Sequence, residues 1–554
     1  MVKKVKTIKK ANEEWRVVKR EVEGKNKNGG GKKVEGKSTV KKVDFSKQKE
    51  IRDSVLESYV ITSDGSTTIK ASIRKVGTII TYHLEAPKID PATRVLLEDV
   101  RNELISTTSL GAGEAIKPDA IEKIRKDFVR DAGELLERKL PTLTKETKDI
   151  LVNKLMQDML GLGEIEFLVN DSNLEEIVIP SATEPIRVFH KKFGWLPTNF
   201  RIEREDEIIN YSNIIARRVG RQITVLNPLL DAHLVSGDRV NAVLYPVSTK
   251  GNTITIRRFS RDPYTIVDLI QNRTCSIEIA VLLWLAVEYE MNVIVSGGTA
   301  SGKTVLLNAC MPFVPPNHRI ISVEDTRELM LPEFLYWTPL VTRSPNPEGK
   351  GLIRMLDLLV NSLRMRPDRI VLGEMRRKEE AMVLFEAMHT GHSVYATMHA
   401  NSAAETVSRL INPPLSVPAN LLGAVNLNVV MFRDRRRGIR RVFQVGEFNV
   451  KGDLTDASIL YRWVPEGDKI IRHSQSSKFF EDISRNTGMT QNEVNKNLKE
   501  KEGVLNWLMK NKIRSLDEFG KVMNYYYSDK ELLLKEIKQN NVKLFKVVGN
   551  ERKK

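Results

Sequence analysis

One glycine-rich segment carries the clearest chemistry in the sequence, because it matches the pattern G-x-x-x-x-G-K-[ST] at every position. In such a segment glycines let backbone N–H groups surround phosphate oxygens, the lysine neutralises the β- and γ-phosphates, and the final hydroxyl ligates Mg²⁺. The candidate nucleotide-binding residues are Gly297, Gly298, Thr299, Ala300, Ser301, Gly302, Lys303 and Thr304. The pattern predicts a site for ATP and Mg²⁺, with Thr304 as a metal ligand.

Three short apolar runs farther along the chain each end in a residue that can exchange a proton or bind a metal. Glu324 follows the first run, Glu374 the second and His399 the third. In sheets of parallel strands, ligands bind beyond the carboxyl ends of the strands, so we expect these side chains near the phosphates. Glu324 and Glu374 are both candidate bases for activating water, Glu374 is also a candidate Mg²⁺ ligand, and His399 is a candidate γ-phosphate sensor.

The elements that must position these residues divide the chain into five parts. Residues 1–54 read as a basic, disordered tail, and 55–259 as a mixed α+β domain. A linker at 260–263 leads to 264–470, where apolar runs alternate with helical segments and predict a parallel sheet with crossover helices. Residues 471–554 read as a small helical extension. The predicted fold class is therefore α/β.

The C-terminal extension shows three sequence patterns of the helix capping box. In each, a hydroxyl residue precedes a glutamate by three positions, so that each side chain can bond the other's backbone N–H. The patterns are Thr490–Glu493, Ser515–Glu518 and Ser528–Glu531. Each predicts the start of a helix.

Composition excludes several classes of protein. With 554 residues the chain is too long for one hydrophobic core, and its two cysteines exclude a disulfide framework or a four-cysteine zinc module. No apolar run approaches the roughly 20 residues of a membrane span. Residues 1–50 hold 17 Lys and Arg against 7 Asp and Glu, a net of +10 out of +17. The remaining charge shows no concentrated basic channel, so we expect no nucleic-acid partner.

Four segments follow one another in the order found in a known family. The segment around Lys303 resembles a Walker A motif, and three later segments resemble the Asp box, Walker B motif and His box of the secretion superfamily ATPases. These segments are 323–331, 363–376 and 390–401, and the likeness extends upstream through 161–179 and 238–259. The sequence is most similar to the archaeal branch, particularly the motor ATPase of the archaellum, in the segments 325–331 and 363–369. It lacks the four-cysteine insertion of bacterial type II members, which argues against that branch.

The resemblance implies a hexameric ring with ATP bound between an N-terminal domain and a RecA-like C-terminal domain. It implies that Glu324 and Glu374 are catalytic carboxylates, that His399 lies beside the phosphates, and that Arg239 and Arg257 reach the phosphates from the upstream domain. It also implies a cytoplasmic motor, peripherally associated with the membrane, that assembles or rotates a filament through a polytopic membrane platform protein. The basic tail offers a second route to an acidic membrane surface or partner.

Other functions remain open from the sequence alone. They are a RecA-like motor that translocates nucleic acid, a type II secretion or DNA-transfer ATPase of the same superfamily, and a scaffold that binds ATP without hydrolysing it. A small-molecule kinase is disfavoured because no acceptor-binding lid is evident. The basic segment 433–441 is interpreted as a turn with a charged edge strand, or as a docking surface for an acidic partner.

Overall fold

The computed structural model describes residues 54–546, except 65–66, 86–90, 108–117, 142, 161, 235–236, 260–261, 347, 453 and 477. The predicted basic tail therefore lies outside the described residues apart from Ser54. Half of the predicted linker, residues 260–261, also lies outside them.

The strands of the described part alternate with helices along most of the chain. The strands are β1 (Ser54–Asp64), β2 (Thr67–Val76), β3 (Ile79–Glu85), β4 (Leu174–Ile179), β5 (Arg187–His190), β6 (Gly194–Pro197), β7 (Leu229–His233), β8 (Arg239–Val243), β9 (Thr253–Arg257), β10 (Val293–Gly297), β11 (Arg319–Glu324), β12 (Tyr336–Val341), β13 (Arg369–Leu372), β14 (Ser393–Met398), β15 (Leu427–Asp434), β16 (Ile439–Lys451), β17 (Leu454–Val464) and β18 (Lys469–Arg472).

The α-helices follow the same order. They are α1 (Pro91–Thr107), α2 (Pro118–Lys139), α3 (Lys145–Leu160), α4 (Ile165–Asn170), α5 (Glu205–Arg218), α6 (Ile266–Gln271), α7 (Ile277–Glu288), α8 (Lys303–Cys310), α9 (Met355–Ser362), α10 (Lys378–His389), α11 (Ala403–Ile411), α12 (Lys478–Thr487), α13 (Gln491–Lys510), α14 (Leu516–Ser528) and α15 (Lys530–Lys538). None of these described helices has both the length and the apolar character that crossing a bilayer requires.

The strands form three sheets. Strands β1 to β3 make an antiparallel sheet, and a second antiparallel sheet has the order β6-β5-β4-β9-β8-β7. Two hydrogen bonds tie the first sheet to the turn between α4 and β4, because Tyr59 and Tyr82 both donate their hydroxyls to Asp171, at 2.7 and 2.8 Å. Helices α1 to α3 pack on one another around a separate apolar cluster.

The third sheet holds the candidate site and has the order β12-β11-β13-β14-β10-β15-β16-β17-β18. Its first six strands are parallel. They are buried on both faces: Ile370 and Leu372 face a core that includes α9 to α11, whereas Val371 between them faces the core of α6 to α8. Because the strands are parallel and in register, the carboxyl ends of β10, β11, β13 and β14 meet at one edge of the sheet.

The last three strands of this sheet depart from the predicted parallel pattern. Strands β15, β16, β17 and β18 pair antiparallel in succession. The basic segment 433–441 contains the turn of the β15–β16 hairpin, which agrees with its interpretation as a turn. Strand β16, however, lies inside the sheet between β15 and β17. The interpretation of that segment as an edge strand is therefore wrong.

The C-terminal helices pack on the apolar helix α7 and share its core. The capping box at Thr490 is confirmed, since Thr490 and Glu493 bond each other's backbone N–H. Ser515 caps its helix through the backbone N–H of Glu518. The third pattern is wrong: Ser528 is the last residue of α14, and Asp529 accepts from the backbone N–H of Leu532 instead. A carboxylate next in sequence provides the same cap.

A buried ion pair joins the extension to α7. Lys501 on α13 is fully buried, and its ammonium lies 2.6 Å from the carboxylate of Glu288. The same ammonium lies 5.3 Å from the ring centres of Trp284 and Tyr526. Burial lowers the pKa of Lys501, and Glu288 opposes that change. Removing one partner would leave the other charge buried without compensation.

We therefore expect Lys501→Met to lower the free energy of unfolding by about 3–5 kcal/mol. The double variant Lys501→Met/Glu288→Leu should recover most of this loss, because it removes both charges. Lys499 is exposed on the same helix, so Lys499→Met is the matched control. Urea denaturation of the four proteins measures the effect, and equal stability of Lys501→Met and Lys499→Met would contradict it.

Candidate functional site

The glycine-rich loop connects the end of β10, the central strand of the nine-stranded sheet, to the start of α8. Gly297 has φ +152° and Gly302 has φ +95°, in the region that favours glycine. A Cβ on Gly297 would lie 2.6 Å from the carbonyl oxygen of Met431 on the neighbouring strand. The loop can therefore pass this close to β15 only with glycine at its first position.

Polar groups of the loop are available to an anion. The ammonium of Lys303 donates to the carbonyl oxygens of Gly297 and Gly298, each at 3.1 Å, and burial lowers the pKa of this lysine. The hydroxyl oxygen of Ser301 is buried and has no hydrogen-bond partner among the described residues. A buried lysine and an unpartnered buried hydroxyl fit a phosphate group, which would give both a strong acceptor.

Glu324 ends β11 and is almost fully buried. One carboxylate oxygen accepts the backbone N–H groups of Glu328 and Leu329, at 2.9 and 3.1 Å. The other oxygen, Oε2, is buried without a partner among the described residues. Burial raises the pKa of Glu324 to about 7, against these two hydrogen bonds. A carboxyl group near half-ionisation at neutral pH, with one oxygen free, has the properties of a general base.

Glu374 has a different environment, although it also follows a strand. It lies 2.8 Å from the guanidinium of Arg376 and 3.0 Å from Nε2 of His399. Burial acts to raise the pKa of Glu374, but the hydrogen bond from Arg376 and the nearby cations outweigh it and hold the pKa below its usual range. Glu374 is therefore ionised at neutral pH and already engaged with two partners.

His399 connects Glu374 to the glycine-rich loop. Its Nδ1 lies 3.4 Å from the ammonium of Lys303, and its Nε2 faces Glu374. Burial, followed by the charge of Lys303, lowers the pKa of His399, so the ring is neutral at pH 7. Because Lys303 can only donate, the neutral ring accepts at Nδ1 and donates from Nε2–H to Glu374. The structure thus brings three of the predicted residues into one hydrogen-bonded chain.

Gly373 lies against the buried Glu324. A Cβ at this position would lie 3.4 Å from both Cα and Cγ of Glu324, at the limit of ordinary van der Waals contact. An aspartate there would place a second charge beside a buried carboxyl. Glycine avoids this, and the following Glu374 supplies a carboxylate instead.

The two predicted arginines lie on the six-stranded sheet. Arg257 lies 3.9 Å from Glu328, in the loop whose backbone holds Glu324. Arg239 makes a two-pronged pair with Asp231, at 3.0 and 2.7 Å. Both side chains are partly exposed, and neither makes a hydrogen bond or ion pair with the glycine-rich loop within the described part of the chain. The structure places them beside the loop after β11 and not against Lys303.

Two further residues contact the site, although the sequence analysis did not select them. Arg376 donates to both Glu374 and Asp325, linking the ends of β13 and β11. Arg440, in the basic hairpin, donates its Nε to the carbonyl oxygen of Ala300 at 3.2 Å. Arg376 is the last residue of the segment 363–376, which resembles the Walker B motif, so the sequence did contain a signal for it. The position of Arg440 depends on the pairing of β15 with β16, which the sequence did not predict.

The comparisons with known proteins identify the family of the chain. Residues 207–435 match the family model described as Type II/IV secretion system protein. A putative conjugal transfer protein of Mycobacterium tuberculosis is 31% identical over 263 residues, covering 46% of this chain and 74% of that protein. The chain therefore belongs to the type II/IV secretion ATPase superfamily.

Another relative matches over more of the chain, and a solved structure matches at lower identity. An uncharacterized protein of Methanocaldococcus jannaschii is 38% identical over 347 residues, which cover 61% of this chain and 62% of that protein. The chain thus spans less than two thirds of the length of this relative. The crystal structure of the VirB11 ATPase from the Brucella suis type IV secretion system, in complex with sulphate, is 25% identical and has a TM-score of 0.26. It covers 51% of this chain and 92% of that one.

Proposed function

We propose that this protein hydrolyses ATP as a secretion-type motor with a RecA-like catalytic domain. One observation carries the proposal: a glycine-lined loop, a buried carboxyl group with a pKa of about 7 and the chain Lys303–His399–Glu374 meet at one edge of a parallel sheet. Phosphoryl transfer needs this combination of charge neutralisation and a positioned base. Family membership supports the same reaction.

The loop residues bind the triphosphate. Lys303 exchanges its two carbonyl acceptors for phosphate oxygens, and Ser301 gains the acceptor it lacks. The Thr304 hydroxyl and the Glu374 carboxylate are the groups that would hold Mg²⁺, directly or through water. When bound, Mg²⁺ neutralises charge on the β- and γ-phosphate oxygens.

The free oxygen of Glu324 is the best-supported base. A water oxygen attacks the γ-phosphorus, the bond from that phosphorus to the bridging oxygen breaks, and Glu324 Oε2 takes the proton from the water. The products are ADP and inorganic phosphate. Glu374 is less suited to this step because its oxygens are engaged by Arg376 and His399. His399 then orients Glu374 and senses the γ-phosphate through Lys303.

Arg239 and Arg257 provide a link between hydrolysis and movement. We propose that ATP draws both arginines from the six-stranded sheet toward the γ-phosphate, with the predicted linker at 260–263 as the hinge. Arg239 must then leave Asp231, and Arg257 must leave Glu328. Because these pairs are partly exposed, little free energy opposes the exchange. Hydrolysis therefore occurs in the closed arrangement, and phosphate loss reopens it.

We expect Arg239→Ala and Arg257→Ala to lower kcat on the order of 10³-fold while the nucleotide Kd changes much less. An arginine that stabilises only the transition state acts on kcat and contributes little to ground-state binding. Arg187 on β5 of the same sheet is half-exposed, so Arg187→Ala is the matched control. Equal losses of affinity and turnover would argue against the role of the two arginines.

The assembly is proposed on the family alone. We propose a homo-hexamer that is cytoplasmic, associates peripherally with the membrane through a polytopic platform protein, and drives an archaellum-like or pilus-like filament. The name of the M. tuberculosis relative supports one alternative, a DNA-transfer motor. Light scattering with and without ATP measures the ring. Stimulation of phosphate release by anionic lipid vesicles supports the filament motor, whereas stimulation by DNA supports the alternative.

A further inference from the structure

A cavity with a volume of about 410 Å³ lies outside the proposed ATP site, where the six-stranded sheet approaches the loop after β12. It is lined by the residues that follow α5, by the end of β7, and by residues 342–346, 350 and 351 of the loop after β12. None of the loop residues 297–304 lines it. Two contacts connect it to the site: His233 bonds Thr326 at 2.6 Å, and Thr342 contacts Asp325. Thr326 and Asp325 directly follow Glu324 in sequence.

The charged groups that line the cavity are basic. They are Arg221, which follows α5, and Arg343 and Lys350 in the loop after β12. His233 also lines the cavity, but burial lowers its pKa, so its ring is neutral at pH 7. The described lining includes no carboxylate. Glu348 lies outside the lining, 3.7 Å from Lys350, and both of these side chains are largely exposed. Neighbouring carboxylates are committed elsewhere: Asp231 pairs with Arg239 and Asp325 with Arg376. The cavity therefore has an excess of positive charge.

The loop that presents two of these cations is held in shape by its own hydrogen bonds. Arg343 and Ile353 exchange both backbone hydrogen bonds, at 3.0 and 2.8 Å. Arg343 Nε donates to the carbonyl oxygen of Gly351 at 2.7 Å, and the backbone N–H of Lys350 donates to the Asn346 side chain. Within the described residues the terminal nitrogens of Arg343 make no hydrogen bond or ion pair, and the ammonium of Lys350 has the exposed pair with Glu348, which a ligand can replace at little cost.

The lining selects the class of ligand. The apolar lining residues are Val219, Ala232 and Pro345, and the described lining includes no Phe, Tyr or Trp side chain. A nucleobase or another flat apolar group would find little to stack against. Thr342, Ser344 and Asn346 add hydrogen-bonding groups to the cations. Guanidinium groups bind phosphate oxygens through paired hydrogen bonds. We propose that this cavity binds a small phosphate-type oxyanion, with free inorganic phosphate as its ligand.

The position of the cavity assigns it a regulatory role, and this part rests on the proposed function. Arg221 donates to the backbone carbonyl of Asp231, the residue whose side chain holds Arg239. His233 is two residues farther along the same strand. An oxyanion bound to both Arg221 and His233 would fix the position of β7 around Asp231. Asp231 would then keep its ion pair with Arg239, so Arg239 would stay away from the ATP site. Phosphate would then slow turnover without competing with ATP.

The binding test uses the full chain and inorganic phosphate in isothermal titration calorimetry. Phosphate can also bind the glycine-rich loop, so all proteins carry Lys303→Ala. Phosphate binding is expected to persist in this background and to weaken about tenfold or more when Arg343→Gln is added. Arg436 is exposed in the β15–β16 turn and does not line the cavity, so Arg436→Gln is the control with the same charge change. Lys350→Gln, at an exposed position, tests the site without disturbing the loop. Binding that is absent in Lys303→Ala, or unchanged by both cavity substitutions, overturns the proposal.

The regulatory test uses the chain with Lys303 intact and measures ATP turnover against phosphate concentration. A component of inhibition that rising ATP does not relieve is expected, and Arg343→Gln should remove it while Arg436→Gln does not. Purely competitive inhibition in the unmodified protein contradicts the regulatory role. If the chain does not hydrolyse ATP at all, the proposed function fails, but the calorimetric result still decides whether the cavity binds phosphate.

Discussion

Lys303→Ala is expected to abolish ATP binding and hydrolysis. Lys303 is the cation of the glycine-rich loop, and its ammonium also contacts His399, which contacts Glu374. Its loss removes the charge that neutralises the β- and γ-phosphates and breaks the chain that connects the loop to the carboxylate. Binding of a fluorescent ATP analogue and release of phosphate measure the two effects. Both should fall to background.

The folded state should survive this substitution. Lys303 is buried, and burial lowers its pKa, so alanine removes a charged group that is costly to bury. We expect the Tm of Lys303→Ala to equal or exceed that of the unmodified protein. Lys378, exposed at the start of α10, gives the control Lys378→Ala. Turnover of Lys303→Ala near that of the control would refute the site.

Glu324→Gln is expected to lower kcat by about 10²–10⁴-fold while ATP still binds. Glutamine keeps an oxygen that can accept the backbone N–H groups of Glu328 and Leu329, so the loop retains its shape. It cannot accept a proton from water. Single-turnover phosphate release, measured beside ATP binding, separates the chemical step from affinity. A Glu324→Gln protein with normal kcat would exclude this residue as the base.

The pH dependence gives an independent check on the same residue. The pKa of Glu324 is raised to about 7, so the carboxyl group is protonated and inactive as a base below that pH. We expect kcat to fall about tenfold for each pH unit below 7 and to level off above it. Glu374 has a lowered pKa and cannot produce this limb. Glu374→Gln should therefore keep the midpoint near pH 7, whereas the residual activity of Glu324→Gln should lose it.

The choice between the two carboxylates shows where sequence reasoning ended. Glu324 and Glu374 each follow an apolar strand, and nothing in their local sequence separates a base from a metal ligand. Tertiary contacts separate them: Glu324 is buried with one free oxygen, whereas Glu374 meets Arg376 and His399. A pKa depends on burial and neighbouring charges, which come from segments distant in the chain.

The same limit applies to the end of the large sheet. The pattern of apolar runs predicted its parallel strands, because a run buried on both faces leaves a continuous apolar signature. The pattern did not predict that β15 to β18 pair antiparallel. Strands of similar composition can pair in either direction, and the connections between them decide which. Arg440 was missed for this reason, because only the β15–β16 pairing brings it to Ala300.

The sequence by itself determined the glycine-rich loop and the strands that end at or just before Glu324, Glu374 and His399. These features are local: a loop of eight residues between a strand and a helix specifies its own backbone conformation, and parallel strands place their ends at one edge. Only the tertiary structure decided which carboxyl group stays free, which cations surround it, and that a basic cavity lies beside Asp231. These properties depend on distances between residues that are tens to hundreds of positions apart, and no local pattern encodes such distances.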